Sequence, residues 1–202
     1  MIDVRKYNLP DYSIYESEVN DFKFWIPDKK YLILGAGNNP EDSLIIENVI
    51  LDKIPVYKRP SGGQTVLISP ETLVISVVFV NSDLQPKKVF NKINSIIIKT
   101  LNEKGIENLL LKGISDIAIG EKKILGSSIY RKKEKYFYHA VLNISESPDI
   151  FERYLKHPTK EPEYRQGRSH KDFVTSIHLG GYHISKSELI SLMNKAFISG
   201  LN

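Results

Sequence analysis

Cysteine is absent from these 202 residues. That excludes a disulfide framework, a thiolate metal site and a cysteine nucleophile. Apolar runs are short, and none approaches the ~20 consecutive residues of a membrane-crossing helix. The opening Met-Ile-Asp-Val-Arg-Lys-Tyr has no apolar signal core and no transit-peptide composition. A cytoplasmic protein with no membrane association is the matching expectation. The net charge is only +4, well short of a polybasic nucleic-acid binder, and it favours an acidic partner or an anionic ligand. Gly-Lys-Ser/Thr does not occur, so there is no Walker phosphate loop. Gly-x-Ser-x-Gly is missing as well, which removes the hydrolase elbow. Five histidines are present (His139, His157, His170, His178 and His183), but none forms the His-x-x-x-His of a zinc helix.

With 41% hydrophobic and 26% charged residues, the chain is globular and of a length for one domain, residues 1–202. Residues 30–35 read as a buried strand and residues 36–43 as a loop. Short strands over 54–58 and 65–69 flank a Ser-Gly-Gly turn. The β-branched run 72–80 reads as a central strand. Helical spacing of Val89, Ile93, Ile96, Ile97 and Leu101, with Gly105 as a stop, predicts a helix over 87–104. Strands over 114–119 and 123–129 meet at Gly120-Glu121 as a hairpin, and Tyr136–Ile144 is a further strand. Ser147-Pro148 opens a short helix that ends before His157-Pro158. Ser185-x-x-Glu188 is a capping box for a last helix. Strands outnumber helices without strict βαβ alternation, so the expected class is α+β, a mixed sheet with packed helices. Residues 157–171 form a long polar loop, of a length that is either functional or disordered.

The most informative stretch is Lys58-Arg59-Pro60-Ser61-Gly62-Gly63-Gln64-Thr65-Val66-Leu67. Paired glycines let backbone approach a ligand, and free N–H groups in such a turn form an anion nest. Arg59 adds a forked, permanently charged donor for phosphate. An ordinary turn between strands fits the same residues. Lys122-Lys123-Ile124-Leu125-Gly126-Ser127 follows the predicted hairpin turn. A lysine fixed on a strand can neutralise a developing acyl-phosphate charge, and solvated turn lysines are the alternative. Arg131, Lys132, Lys133 and Lys135 lie among Tyr130, Tyr136, Phe137 and Tyr138, as a solvated hairpin tip or a docking patch. Lys160, Arg165, Arg168, His170 and Lys171 give the late loop a cationic density suited to closing over a phosphate-bearing ligand.

The order of these segments resembles the lipoate-protein ligase family. Gly35-Ala-Gly-Asn38-Asn39-Pro40 is similar to the family's Gly-Arg-x-Gln/Asn-Asn-Pro element. Lys58 to Val66 resembles Arg-Arg-x-Ser-Gly-Gly-Gly-x-Val. Ser115-Asp116-Ile117 and Lys123-Ile124-Leu125-Gly126-Ser127 resemble its Asn-Asp turn and Lys-Ile-x-Gly-Ser strand. Tyr136–Leu142 resembles the His-Gly-Thr strand, and the basic loop after Tyr154 resembles the adenylate-binding region. The match spans roughly residues 30–175.

The resemblance implies the family's mixed-sheet fold and a two-step reaction. ATP with Mg2+ and lipoate would give lipoyl-AMP, and the lipoyl group would pass to a lysine of an acceptor. The implied acceptors are lipoyl domains of 2-oxoacid dehydrogenase E2 subunits or the glycine cleavage H protein. Lys123 would be the catalytic residue, offsetting charge at the lipoyl carboxylate. Arg59, Ser61 and the stretch Gly62, Gly63, Gln64, Thr65, Val66 and Leu67 would hold phosphates and the lipoyl chain. Asp116 would help place the metal or phosphate, with Gly126, Ser127 and His139 also lining the site. No metal ligand set follows with certainty. Departures are Gln64 at the third glycine, Ile68-Ser69-Pro70 in place of His-Asp, and His139-Ala140-Val141 in place of His-Gly-Thr. The N-terminal region before residue 30 is read as lacking the family's first helix. The expectation for the accessory C-terminal domain is that it comes on a separate subunit or that activation is incomplete without it. The alternatives are an octanoyl/lipoyl transferase that needs no cysteine and a non-catalytic lipoyl-domain-binding module.

Overall fold

The computed structural model describes residues 2–80 and 84–201. In chain order the elements begin with β1 (Val4–Lys6), a 3-10 turn (Pro10–Ile14), β2 (Asp21–Trp25) and β3 (Tyr31–Leu34). Then come two short helices, α1 (Pro40–Ser43) and α2 (Ile46–Leu51), and strands β4 (Val56–Lys58), β5 (Val66–Ile68) and β6 (Thr72–Val80). The long helix α3 (Pro86–Glu103) leads into β7 (Leu109–Lys112), β8 (Asp116–Ile119), β9 (Lys122–Lys132) and β10 (Lys135–Asn143). Last are α4 (Asp149–Tyr154), a 3-10 turn (Glu163–Arg165), α5 (His170–Phe173) and α6 (Lys186–Gly200).

Two sheets organise these elements. The larger is antiparallel, in the order β2-β6-β10-β9-β8-β7. The smaller has the order β1-β4-β3-β5, with β4 parallel to both β1 and β3. β6 is buried over Thr72–Phe79 because both of its faces are covered, and its two polar side chains, Thr72 and Ser76, are hydrogen-bonded to Ser69 and Asp11. Leu73, Ile75, Val77 and Phe79 point into the core beneath α3 and α6. Val74 points the other way, into a second cluster with Trp25, Ile33, Tyr57 and Ile68 that joins the two sheets. The far face of the small sheet buries Leu32, Leu34, Val56 and Leu67 against Val49 of α2 and Phe151 and Tyr154 of α4. The class is α+β, as the sequence leads one to expect, with the strands divided between two packed sheets rather than gathered in one.

α3 lays Val89, Ile93, Ile97 and Leu101 against the large sheet. It stops because Gly105 adopts φ +82°. The Ile106 amide then bonds the Leu101 carbonyl and the Gly105 amide the Asn102 carbonyl, a Schellman ending. α6 opens with the Ser185 hydroxyl accepting from the Glu188 amide. The Glu188 carboxylate pairs with Lys104 at the end of α3.

Several elements differ from their sequence expectation. Residues 36–43 include α1, one turn started by Pro40. The strand expected over 114–119 begins at Asp116, because Gly113 turns the chain at φ +58°. β9 runs on to Lys132, and the basic cluster forms the tip of the β9–β10 hairpin around Lys133 at φ +55°. β1, β2, α2 and β7 have no counterpart in the sequence reading. The late polar loop is ordered around a 3-10 turn with Arg165 buried. Its last two residues, His170 and Lys171, open α5.

Ile97→Ala leaves a methyl-lined void between α3 and the large sheet. It is expected to lower the unfolding free energy by about 2–5 kcal/mol, read by urea denaturation. A loss below about 1 kcal/mol would mean that this face of α3 is not packed as described.

Candidate active site

The Ser-Gly-Gly loop connects β4 to β5 and lies directly on the turn after β3. A Cβ placed on Gly35 would sit 2.0 Å from the Gly63 carbonyl oxygen, so only backbone meets backbone there. The Ala36 amide donates to the Ser61 carbonyl at 2.9 Å. Gly63 itself has φ +87°, a conformation that favours glycine.

Arg59 holds this loop from below. Its side chain is 5% exposed. Nε donates to Ser61 Oγ at 3.0 Å and Nη1 to the Ile33 carbonyl at 3.1 Å. Nη2 donates to the carbonyls of Gly62 at 2.8 Å and Gln64 at 2.9 Å. Burial lowers its pKa to about 10, so it remains charged at neutral pH. Its hydrogen bonds go to the loop and to β3, and it also lines the larger lobe of the cleft described below. Ser61 Oγ continues the chain of contacts to Ser128 Oγ on β9 at 2.9 Å, tying the loop to the large sheet.

Lys123 faces this loop from β9. The β8–β9 register pairs Ile117 with Leu125 but Ala118 with Lys123, so Ile124 is an extra residue in the strand. A bulge of this kind re-aims side chains. Ile124 and Leu125 both enter the main core, while Lys123 and Gly126 both face the cleft. Lys123 Nζ lies 2.9 Å from Asp116 Oδ1. A Cβ on Gly126 would come within 2.5 Å of Nζ, so glycine leaves the room the ammonium occupies. Asp116 is buried. Its Oδ1 also accepts from Ser115 Oγ at 3.2 Å, and Oδ2 accepts from the Tyr164 hydroxyl at 2.8 Å. Both oxygens are thus engaged by protein donors. Among the described residues no three His, Cys, Asp or Glu side chains gather to hold a metal ion.

The cleft has two lobes, of about 280 Å³ and about 460 Å³, that share Gln64, Val66, Lys123, Gly126, Val141 and Pro162. The smaller lobe has an apolar floor that includes Leu67, Ile124, Phe151 and Phe173. Its polar rim includes Asn38, Lys156, Lys160, Arg165 and His170. Arg165 is 4% exposed, and its Nη2 has no hydrogen-bond partner among the described residues. Thr65 Oγ1 is equally unpaired. Burial lowers the pKa of Arg165. Burial, then the Arg165 charge, lowers His170 to about 4, so His170 is neutral at pH 7.

The larger lobe is lined by Arg59, Gly63, Asp116, Ser127, Ser128 and His139, among others. Ser127 Oγ is spent on the Ser115 carbonyl at 2.7 Å. His139 Nε2 is 3.1 Å from the Tyr7 hydroxyl and 3.2 Å from Asp11 Oδ2, at the inner wall of the lobe. Burial acts to raise the Asp11 pKa. His139 and the hydroxyls of Ser76 and Tyr7 outweigh it and hold the carboxyl below its usual value.

Of the residues singled out from sequence, Arg59, Gly63, Gln64, Thr65, Val66, Leu67, Asp116, Lys123, Gly126, Ser127 and His139 line one lobe or both. Ser61 and Gly62 line neither and shape the loop instead. Tyr164 escaped the sequence reading. Its signal was its place inside the basic loop, but nothing local indicated that it would reach Asp116.

The fold recurs in solved structures. Lipoate-protein ligase A bound with ATP superimposes with a TM-score of 0.81 at 21% identity, over 100% of this chain and 84% of that one. A bi-partite lipoate protein ligase, studied with its E2 lipoyl domain from Thermoplasma acidophilum, gives 0.81 at 20% identity, over 100% and 84%. A candidate lipoate protein ligase of T. acidophilum with bound lipoic acid gives 0.80 at 20% identity, over 95% and 78%. The profile of the lipoyl protein ligase A/B catalytic domain matches residues 13–198, and the chain belongs to that family. Among curated relatives, a candidate lipoate-protein ligase A of Aeropyrum pernix is 29% identical over 132 residues, which is 65% of this chain and 48% of the relative. Lipoate-protein ligase A subunit 1 of T. acidophilum is 23% identical over 164 residues, 77% of this chain and 62% of the relative. The chain thus spans about half to three-fifths of the length of these relatives.

His170 generates a pH prediction. Its folded pKa of about 4 lies below the ordinary 6.5, so the unfolded chain takes up the proton first as pH falls. The stability this neutral histidine allows is complete above pH 6.5 and is lost on the way down to about 4. Thermal unfolding between those limits is expected to fall less steeply for His170→Gln than for the wild type. Superimposable pH profiles would contradict the buried, neutral state of His170.

Proposed function

We propose that the chain carries the catalytic part of an ATP-dependent lipoate-protein ligase. The observation that carries this reading is a lysine standing where two lobes of one cleft meet, opposite a loop of close-packed backbone. One lobe combines an apolar floor with a cationic rim, which suits a nucleotide. The other runs past Gly63 and Val66 to His139, which suits an acyl chain. A molecule with an acyl group in one lobe and adenosine in the other puts its mixed anhydride beside Lys123 Nζ.

In the first step a lipoate carboxylate oxygen attacks the α-phosphorus of ATP. Pyrophosphate leaves and lipoyl-AMP forms. Lys123 stabilises the carboxylate and the charge that grows on the bridging oxygens, an electrostatic contribution strengthened by partial exclusion of water. Arg165 offers its unpaired Nη2 to phosphate oxygens at the smaller lobe, with Lys156 and Lys160 at the rim. Mg2+ enters as part of the MgATP substrate, carried by the phosphates as this ion commonly is. In the second step the amine of an acceptor lysine attacks the acyl carbonyl. AMP departs, and an amide remains on the acceptor. The acceptor is a lipoyl domain, of an E2 subunit or of the H protein of glycine cleavage. An accessory subunit assists, and the reaction takes place in the cytoplasm. The family membership and the ATP-bound and lipoic-acid-bound neighbours support this assignment.

Purified protein with lipoate, MgATP and an apo lipoyl domain is expected to add one lipoyl mass to the domain, read by intact-mass spectrometry. Lys123→Ala is expected to abolish the gain. If the wild type binds lipoyl-AMP but adds no mass, even with an accessory subunit present, the ligase reading gives way to a binding module. Labelling only from an acyl-carrier protein would make the chain a transferase.

A further inference from the structure

We propose that Tyr164 is a positioning residue that, through Asp116, sets how readily Lys123 leaves its ion pair for the substrate. The inference rests on the role given to Lys123 above. Asp116 collects three donors from three segments. Lys123 and Ser115 share Oδ1, at 2.9 and 3.2 Å, and among the described side chains Tyr164 serves Oδ2, at 2.8 Å. A buried carboxylate stripped of its cation is costly, and the remaining donors decide how costly. When Lys123 turns to a substrate anion, the Tyr164 hydroxyl is the strongest compensation left. Burial and the Asp116 charge push the Tyr164 pKa well above its ordinary value, so it stays a donor at working pH.

Tyr164 also carries information about the strap over the cleft, residues 158–168. Its main chain is clamped by Arg168, whose Nη2 donates to the Tyr164 carbonyl at 2.8 Å and whose Nη1 donates to the Glu121 carbonyl in the β8–β9 turn at 3.1 Å. Gln64, the residue that stands at the third glycine of the family pattern, donates from Nε2 to the Lys160 carbonyl at 3.0 Å. The strap therefore spans from the Ser-Gly-Gly loop to the opposite wall. With the strap seated, Tyr164 reaches Asp116 and Lys123 is easier to release. With it lifted, Asp116 keeps Lys123. Closure over substrate and readiness of the lysine become one event.

The ring of Tyr164 is held independently of its hydroxyl, 5.0 Å from the Phe173 ring centroid and with Lys112 Nζ 5.9 Å above it. Tyr164→Phe should therefore fold, with its melting temperature lowered only by the loss of one hydrogen bond to the buried carboxylate. It is expected to lower kcat/KM for lipoate in adenylate formation by about tenfold. In the Asp116→Asn background the same change should cost less than about twofold, because the route through Asp116 is already cut. Equal losses in both backgrounds would overturn the proposal. A second readout needs no catalysis: labelling of Lys123 in the ligand-free protein by a small acylating reagent, with Lys122 as internal reference. Tyr164→Phe should slow Lys123 labelling severalfold and Asp116→Asn should speed it. An unchanged rate in Tyr164→Phe refutes the coupling. If the wild type makes no lipoyl-AMP, the ligase reading fails, and the labelling arm still decides this one.

Discussion

Arg59 places a permanent charge beneath a loop whose carbonyls have few other donors. A guanidinium offers five N–H groups in a rigid fork, and here they meet the carbonyls of Ile33, Gly62 and Gln64 and the hydroxyl of Ser61. Those bonds fix the loop against the turn after β3, where Gly35 and Gly63 touch without side chains. They also hold Ser61 where it can reach Ser128 on the other sheet. The cleft exists because two sheets are held at this distance, and its two lobes are the space left on either side. A lysine at position 59 would lack the fork, and the loop would lose most of these anchors.

The opposite wall depends on one extra residue. A regular strand would send Lys123 and Gly126 to opposite faces, since side chains alternate. The bulge at Ile124 sends both to the cleft and gives the core two consecutive apolar residues. The spacing Lys-Ile-Leu-Gly is thereby explained locally: a cation, two residues for the core, and a gap for the cation to fold across. Asp116, one turn earlier on β8, supplies the partner that holds the ammonium in place.

Much of this was legible in the chain. The β-branched β6, the amphipathic α3, the Gly120-Glu121 hairpin and the capping serine of α6 follow from local periodicity and turn chemistry. Most residues of the Ser-Gly-Gly and Lys-Ile-x-Gly segments, singled out from the chain, line the cleft. What was not legible depends on burial and distance. Arg59 reads as a free phosphate donor until its surroundings are known, and Asp116 as an open carboxylate until Tyr164 and Lys123 are found on it. β1 holds only three residues and is mostly polar and exposed, so pattern alone could not reveal it. β2 alternates Phe22, Lys23 and Phe24 with both faces partly covered. The 157–171 segment looked like loop from its polarity, because its order comes from side chains such as Arg165 and Arg168 gripping carbonyls.

The claim at the centre is that one ligand spans both lobes with its mixed anhydride at Lys123. A crystal structure with a non-hydrolysable sulfamoyl analogue of lipoyl-AMP tests it directly. The account predicts adenosine in the smaller lobe under the strap, the acyl chain in the lobe walled by His139, and the sulfamoyl linkage within hydrogen-bond distance of Lys123 Nζ. An analogue bound outside the cleft, or bound with its linkage remote from Lys123, would contradict it.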